Sequence, residues 1–345
     1  MENIKNYFFE LCSDNAPSGR EDLLSSLERI VIPLADKVYR DSSGNLIAVK
    51  YSGIAGAEKL MLDAHADEVG LIVTHIDEGG FIHFDNHAGI DNRILPASTV
   101  TVLGKRSITG VIATLPPHLL KDADTSKVIP ANEMVIDVGY DAETVKQLVR
   151  PGDLITLRSN CVDLLNNLVM GKSFDNRASC AVVLNVLSML KKVKPRFDVY
   201  AVFSAGEERG GYGAQAAAFD IEPSEAIVLD ATFGISPFTK EKDGKKLGGG
   251  AAIGISPILD SHIMQTLIGS ARSRNIPYQL EVMNGRTGTN ADKIVTSRTG
   301  VPCALISIPL RYMHSASEVV SMTDLENASR LVLNYVEYRG GVFGE

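Results

Sequence analysis

Residues 178–230, ASCAVVLNVLSMLKKVKPRFDVYAVFSAGEERGGYGAQAAAFDIEPSEAIVLD, decide the fold. The run ASCAVVLNVLSMLKKV (178–193) is long and apolar, so it reads as a helix. FDVYAVFSA (197–205) is short and rich in β-branched and aromatic residues, so it reads as a strand. YGAQAAAF (212–219) is helical again and EAIVLD (225–230) is a second buried strand. Further on, SHIMQTLIGSARSR (261–274) reads as a helix and CALISIPL (303–310) as a strand. Strands alternating with helices mark an α/β domain with a largely parallel sheet, because parallel strands need crossover connections.

Upstream, NLIAVKY (45–51) and KLMLDAH (59–65) have the look of buried strands of the same sheet. The first forty residues read as two helices broken at Ala16-Pro17-Ser18-Gly19, with Ser18 as a cap and Leu23, Leu24, Leu27, Ile30 and Val31 at helical spacing. Between 68 and 163 the texture changes to short β-type runs, LIVTHI, FIHF, TVTVLG, GVIATL, EMVIDVG and DLITL, with only AETVKQLV helical. A chain of 345 residues has room for two domains. The expected architecture is one α/β domain, residues 1–67 plus 164–345, interrupted by a β-rich domain, 68–163.

Hydrophobic residues make up 45% and charged residues 22%, the composition of an ordinary globular protein. The formal net charge is -8 and no Lys/Arg run is present, which argues against nucleic acid as a partner. Nothing at the N-terminus fits a secretory or transit signal and no run of 18 apolar residues exists, so the expectation is a cytoplasmic protein without a membrane partner. Cys12, Cys161, Cys180 and Cys303 have no metal-finger spacing and read as reduced thiols. The glycine-dense stretch Lys245-Lys246-Leu247-Gly248-Gly249-Gly250 has no nucleotide-binding spacing.

In open α/β sheets ligands bind beyond the carboxyl ends of the strands, so polar groups just after buried strands carry the chemistry. KLMLDAH ends in His65, followed by Asp67 and Glu68; DVYAVFSAGEE ends in Glu207 and Glu208; EAIVLD ends in Asp230; CALISIPLRYMH leads to His314. Asp175, in GKSFDNR (171–177), stands just where the helix at 178–193 begins and is expected to face the same edge. Singly, an Asp after a strand is a cap and a lone His a surface or core residue. Together they are a ligand set for Zn, Co or Mn in a hydrolytic site, since a structural zinc favours thiolates. Five ligands exceed what one catalytic ion with an open position takes and suit two ions sharing a carboxylate. Adjacent like charges such as Glu207 and Glu208 at a sheet edge also call for a cation. His75, His83 and His87, inside the β-rich segment, read as structural.

The segments AHADEVG, GKSFDNRAS, SAGEERGGYGA, LDATFG, RTGTNADKI and IPLRYMHSASEVVS resemble, in order and spacing, those of the tetrahedral aminopeptidases, the family of glutamyl and deblocking aminopeptidases. The likeness covers essentially the whole chain, including Pro116-Pro117-His118 and Arg150-Pro151-Gly152-Asp153. It implies an α/β/α sandwich catalytic domain and an inserted PDZ-like β-barrel for dimerisation, with dimers assembling into a tetrahedral dodecamer. It further implies that His65 and Asp230 hold one metal, Glu208 and His314 the other, and that Asp175 bridges. Asp67 would orient His65 through its second ring nitrogen, and Glu207, the glutamate left free, would be the general base on a water shared by the ions. One departure is Asn290, where many relatives are expected to have Asp, which leaves open a role in gripping a substrate amine or in supporting a ligand.

The expected activity is release of N-terminal residues from short peptides by a metallo-aminopeptidase acting as a homo-oligomer. Hydrolysis of N-acylated amino acids is the nearest alternative. A glucanase would need a pair of carboxylates that here look committed to metal. A non-catalytic assembly protein would have no use for an intact ligand set. His118 on its proline turn could reach a neighbouring subunit's cleft, or be a rigid turn alone.

Overall fold

The computed structural model describes residues 2–116, 127–193, 195–237, 239–240 and 243–339, so Pro117 and His118 lie outside the described residues. Helices α1 (Glu2–Ser13) and α2 (Ser25–Val31) precede strands β1 (Lys37–Arg40), β2 (Leu46–Lys50) and β3 (Lys59–His65). The chain then runs through β4 (Gly70–Ile76), β5 (Ile82–His87), β6 (Thr99–Leu103), β7 (Ser107–Ala113), β8 (Val135–Asp137), α3 (Ala142–Leu148) and β9 (Leu154–Leu157). It returns by β10 (Val162–Asp163) and β11 (Leu168–Gly171) to α4 (Phe174–Leu190), β12 (Asp198–Ser204), α5 (Tyr212–Ile221) and β13 (Glu225–Phe233). Last come β14 (Ala251–Ile255), α6 (Ser261–Ser273), β15 (Tyr278–Val282), α7 (Ala291–Ile294), β16 (Cys303–Arg311), β17 (Glu318–Ser321) and α8 (Met322–Arg339).

Eleven strands form one mixed sheet in the order β1-β2-β12-β3-β13-β16-β17-β11-β10, with β14 and β15 branching from β16. The four central strands, β12-β3-β13-β16, are parallel, and antiparallel pairs flank them on both sides. Parallel character is therefore a property of the centre, where strands are covered on both faces. One face carries α1, α4, α6 and α8 and the other α5 and α7, each over its own apolar cluster. Helix α4 is apolar nearly all round because it is enclosed by β3, β13, α1 and α8. Phe174 at its start packs on Phe8 of α1 with ring centroids 4.5 Å apart, a contact contributing about 0.5–1.5 kcal/mol beyond burial. That contact holds the residue next to Asp175.

Between Gly70 and Leu157 six strands close an antiparallel barrel, β4-β5-β8-β7-β6-β9, over a separate core. Strand β7 shows why: Ser107–Ala113 alternates exposed and buried side chains, so one edge-on row fills the interior. Gly110 is required there, because a Cβ would come within 2.5 Å of Ile136 Cγ2.

Three local expectations change. Ser18 caps no helix; its hydroxyl donates instead to the Asp67 carboxylate. The long helix begins at Phe174 and ends at Leu190, with Asp175 and Asn176 departing from helical geometry. Strands β1, β10, β11, β14, β15 and β17 and helices α7 and α8 were not among the expected elements.

Candidate metal centre

The carboxyl ends of the four parallel strands meet at one edge. β3 ends on His65, and the chain turns so that Ala66 N–H donates to Ser204 O at 2.7 Å. β12 ends on Ser204 and enters a tight turn carrying Glu207 and Glu208. Gly206 begins that turn at φ 66°, and a Cβ there would strike the Tyr212 ring at 2.0 Å, so only glycine fits. Asp230 lies on β13, and His314 follows β16 on a turn at φ 62°. Asp175 comes in from the start of α4.

These groups converge. His65 Nε2 lies 3.1 Å from Asp175 Oδ1 and 3.7 Å from Asp230 Oδ1. His314 Nε2 lies 3.3 Å from Asp175 Oδ2 and 3.1 Å from Glu208 Oε1. Two imidazole–carboxylate pairs thus face opposite oxygens of one aspartate. His65, Asp175 and Asp230 form one compact donor group and Asp175, Glu208 and His314 a second, with ligand atoms within 4.8 Å of one another. By distance alone Glu207 also groups with His65 and Glu208.

The charge balance fits cations. Four carboxylates face one another with only two imidazoles among them. Burial, together with the carboxylates of Asp230, Glu208 and Asp175 and against the pull of His65, pushes Glu207 up to about 9. Burial draws His314 down, yet hydrogen bonds to Asp175 and Glu208 hold it up at about 11. Oxygen and imidazole donors with an excess of negative charge are the environment a divalent ion satisfies.

A supporting layer fixes the donors. Asp67, wholly buried, accepts the backbone N–H of Glu207 and of Glu208, each at 3.1 Å, and lies 3.4 Å from His65 Nδ1 through Oδ1. The His65 Nδ1 is also 3.2 Å from the Asp67 carbonyl oxygen, so the ring's other nitrogen is turned to the cluster. Glu68 points away, to Lys172 Nζ at 2.7 Å and the backbone N–H of Ala16 at 2.8 Å.

Two supports were not foreseen. Glu318, 1% exposed, accepts the N–H of Phe174 at 2.5 Å and of Asp175 at 3.2 Å through one oxygen and that of His314 at 2.7 Å through the other. Gly89, between β5 and β6 of the barrel, presents its carbonyl 2.7 Å from His314 Nδ1. Neither residue type announces such a role; the only hint is that Glu318 stands directly before the apolar pair Val319-Val320.

Other residues stay outside. Asn290 is 1% exposed and donates to Asp63 Oδ2 and Ser204 Oγ, both at 2.9 Å, so it lies beneath the cluster and does not grip a substrate. An aspartate in its place would set a second carboxylate against Asp63. His75 and His83 stack in the barrel with centroids 3.9 Å apart, and His87 Nε2 is 2.9 Å from Ser18 O. The four cysteines are free thiols. Among the described residues no helix is long and apolar enough to cross a membrane.

The cluster lines a cavity of about 410 Å³. Among known proteins, the profile of the M42 glutamyl aminopeptidases matches residues 44–331. A lysyl aminopeptidase of Pyrococcus furiosus is 32% identical over 89% of each chain. The solved aminopeptidase APDkam598 of Desulfurococcus kamchatkensis is 34% identical, covers 98% of this chain and 95% of its own, and superposes with a TM-score of 0.91. The TET1 peptidase of Pyrococcus horikoshii, which can assemble into a tetrahedron or a large octahedral shell, is 28% identical over 96% of this chain and 99% of its own at a TM-score of 0.84.

Proposed function

The chain belongs to the M42 glutamyl aminopeptidase family and is a metallo-aminopeptidase, and from that premise we propose how its residues act. Two divalent ions, Zn, Co or Mn, would be held by His65 and Asp230 on one side and Glu208 and His314 on the other, with Asp175 offering an oxygen to each. The observation that carries this reading is the approach of one imidazole to each oxygen of Asp175. When bound, such ions polarise the scissile carbonyl and acidify water.

Glu207, bonded to neither imidazole, would take the proton of the attacking water on its carboxylate and pass it to the leaving nitrogen, because divalent cations at the cluster offset the burial and the neighbouring carboxylates that otherwise keep it protonated. Asp67 keeps His65 turned correctly and, through two backbone N–H groups, fixes the turn carrying both glutamates. Met283, Leu305 and Met313 give the cavity an apolar wall beside the cluster. The substrate is a short peptide with a free N-terminus.

The test uses protein stripped of metal and reloaded with Zn, Co or Mn in steps. A free tripeptide should release its first residue only as the second equivalent binds, and the N-acetylated tripeptide should resist. Full activity at one equivalent defeats the dinuclear reading; equal cleavage of the acetylated peptide favours the deacylase alternative.

The same premise supports a division of labour between residues 1–67 with 164–345, carrying catalysis, and residues 68–163, carrying dimerisation in a cytoplasmic homo-oligomer. The P. horikoshii relative's closed shells support this reading. Sedimentation should find species well above the 37.1 kDa of one chain, and removing the barrel should abolish them.

A further inference from the structure

Beyond the cluster, the cavity wall changes character. Phe233, Met283, Leu305 and Met313 make it apolar, Thr232 adds a hydroxyl, and Glu281 adds one more carboxylate. Among the described residues no Lys or Arg lines this cavity.

Glu281 stands on β15, the outermost of the two strands branching from β16. The hydroxyl of Thr232 donates to Glu281 Oε1, which holds the carboxylate over the end of β13. Thr232 follows Asp230 by two residues, so their side chains leave the same face of the sheet, roughly 6.6 Å apart along the strand. Thr232 is 7% exposed, so the bond is sheltered from solvent.

A carboxylate fixed on a partly desolvated, otherwise uncharged wall attracts a cation more strongly than one at the surface. A peptide substrate offers two: its α-amine and a basic first side chain. The α-amine must stay beside the scissile bond and hence at the cluster. Glu281 lies about one pleat further on, a distance the four-carbon stem of lysine or the longer arm of arginine spans while its methylenes cover Phe233 and Met283.

We propose that Glu281 makes this cavity a receptor for a cationic first side chain, so that the peptides cleaved best begin with Lys or Arg. The proposal rests on the aminopeptidase reading and adds the substrate class. A charged hydrogen-bonded contact contributes about 1.5–3 kcal/mol, which corresponds to a preference of about 10- to 100-fold.

The experiment compares kcat/KM for Lys, Arg, Leu and Glu p-nitroanilides on the full-length metal-loaded enzyme. Lys and Arg should lead, Glu should be poorest, and Glu281→Gln should lower the Lys-to-Leu ratio at least tenfold. Glu281→Lys should invert the order of the Lys and Glu substrates. A wild-type preference for Leu or Glu overturns the proposal. So does a loss in Glu281→Gln that is equal for all four substrates, which would place the α-amine at this carboxylate. Turnover of none of the amides overturns the aminopeptidase reading together with this one, whereas turnover without cationic preference overturns this one alone. Should Glu281→Gln fail to fold, Thr232→Val, which frees the carboxylate from its anchor, should lower the same ratio in the same direction.

Discussion

His65 and His314 carry the same imidazole in different surroundings. His65 is the last residue of a central parallel strand, its side chain 2% exposed, with Asp175, Asp230 and Asp67 around it. His314 sits on a turn after β16, its side chain 27% exposed, and its orientation depends on a glutamate of β17 and a carbonyl from the barrel. The first half of the cluster is built by strand ends that the sheet itself positions. The second is built by loops drawn together from distant parts of the chain. A strand end inherits the rigidity of the sheet, while a turn needs its own fastenings. In the proposed arrangement the His65 half should therefore be the tighter metal site and the His314 half the more exchangeable one.

The largest effect separates the two glutamates on the turn between these halves. Glu207→Gln keeps its volume and the donor groups but cannot accept a proton, so kcat should fall about 10² to 10⁴-fold with metal content unchanged. Glu208→Gln should lose metal from the His314 half, since a neutral amide is a poorer ligand, and should regain activity at high metal concentration. Metal analysis beside steady-state kinetics decides the matter. Exchanged phenotypes would reverse the two roles, and a fully active Glu207→Gln would defeat the mechanism.

Next in size is the fastening of the exchangeable half. Under a competing chelator the metal should leave in two phases, and the first should be absent from His314→Ala, which would assign it to the His314 half. Glu318→Ala frees three backbone N–H groups, two at the start of α4 and one at His314. Loss of such an outer partner typically costs about 10- to 100-fold in metal affinity. The first chelation phase should speed up more than the second. A single phase in the wild-type enzyme would erase the distinction between the halves.

The unequal origin of the halves also explains what could be read from the sequence. His65, Asp230 and the Glu207-Glu208 pair each end or follow a run of apolar strand residues, so strand periodicity alone assigns them to one edge of the sheet. The six barrel strands were equally legible, since Gly, Pro, Asp and Asn punctuate them. Glu318 and Gly89 were not, because a carboxylate bonded to backbone N–H and a carbonyl bonded to an imidazole act across 144 and 225 residues and leave no periodic trace. The outer strands β15 and β17 are short, and β15 is largely unburied, so they lack the apolar run that marks a central strand. Helix α8 differs: Leu325, Ala328, Leu331, Val332, Tyr335 and Val336 recur at helical spacing and are buried, a signal present in the sequence that attention to strand-terminal polar groups passes over.

The smallest expected effect tests whether the barrel steers the exchangeable half. Gly89 has no side chain to contribute, yet its carbonyl accepts from His314 Nδ1 at 2.7 Å, and that bond leaves Nε2 to face Asp175 and Glu208. In Gly89→Ala the added Cβ would lie 3.2 Å from His314 Nδ1 and 3.4 Å from Cε1. Gly89 is not among the residues with positive φ, so the substitution adds crowding without backbone strain. The imidazole must yield by a few tenths of an ångström. Since a misplacement of about 1 Å can cost about 10²-fold, a shift of this size should lower kcat/KM by about tenfold or less. The first chelation phase should quicken slightly and the second should not change, because among the described residues the only atoms beyond its chain neighbours that the added Cβ meets within 4 Å are those of His314. Equal quickening of both phases would mean that the barrel acts on the whole cluster, and an enzyme indistinguishable from wild type would mean that Glu318 alone sets the position of His314.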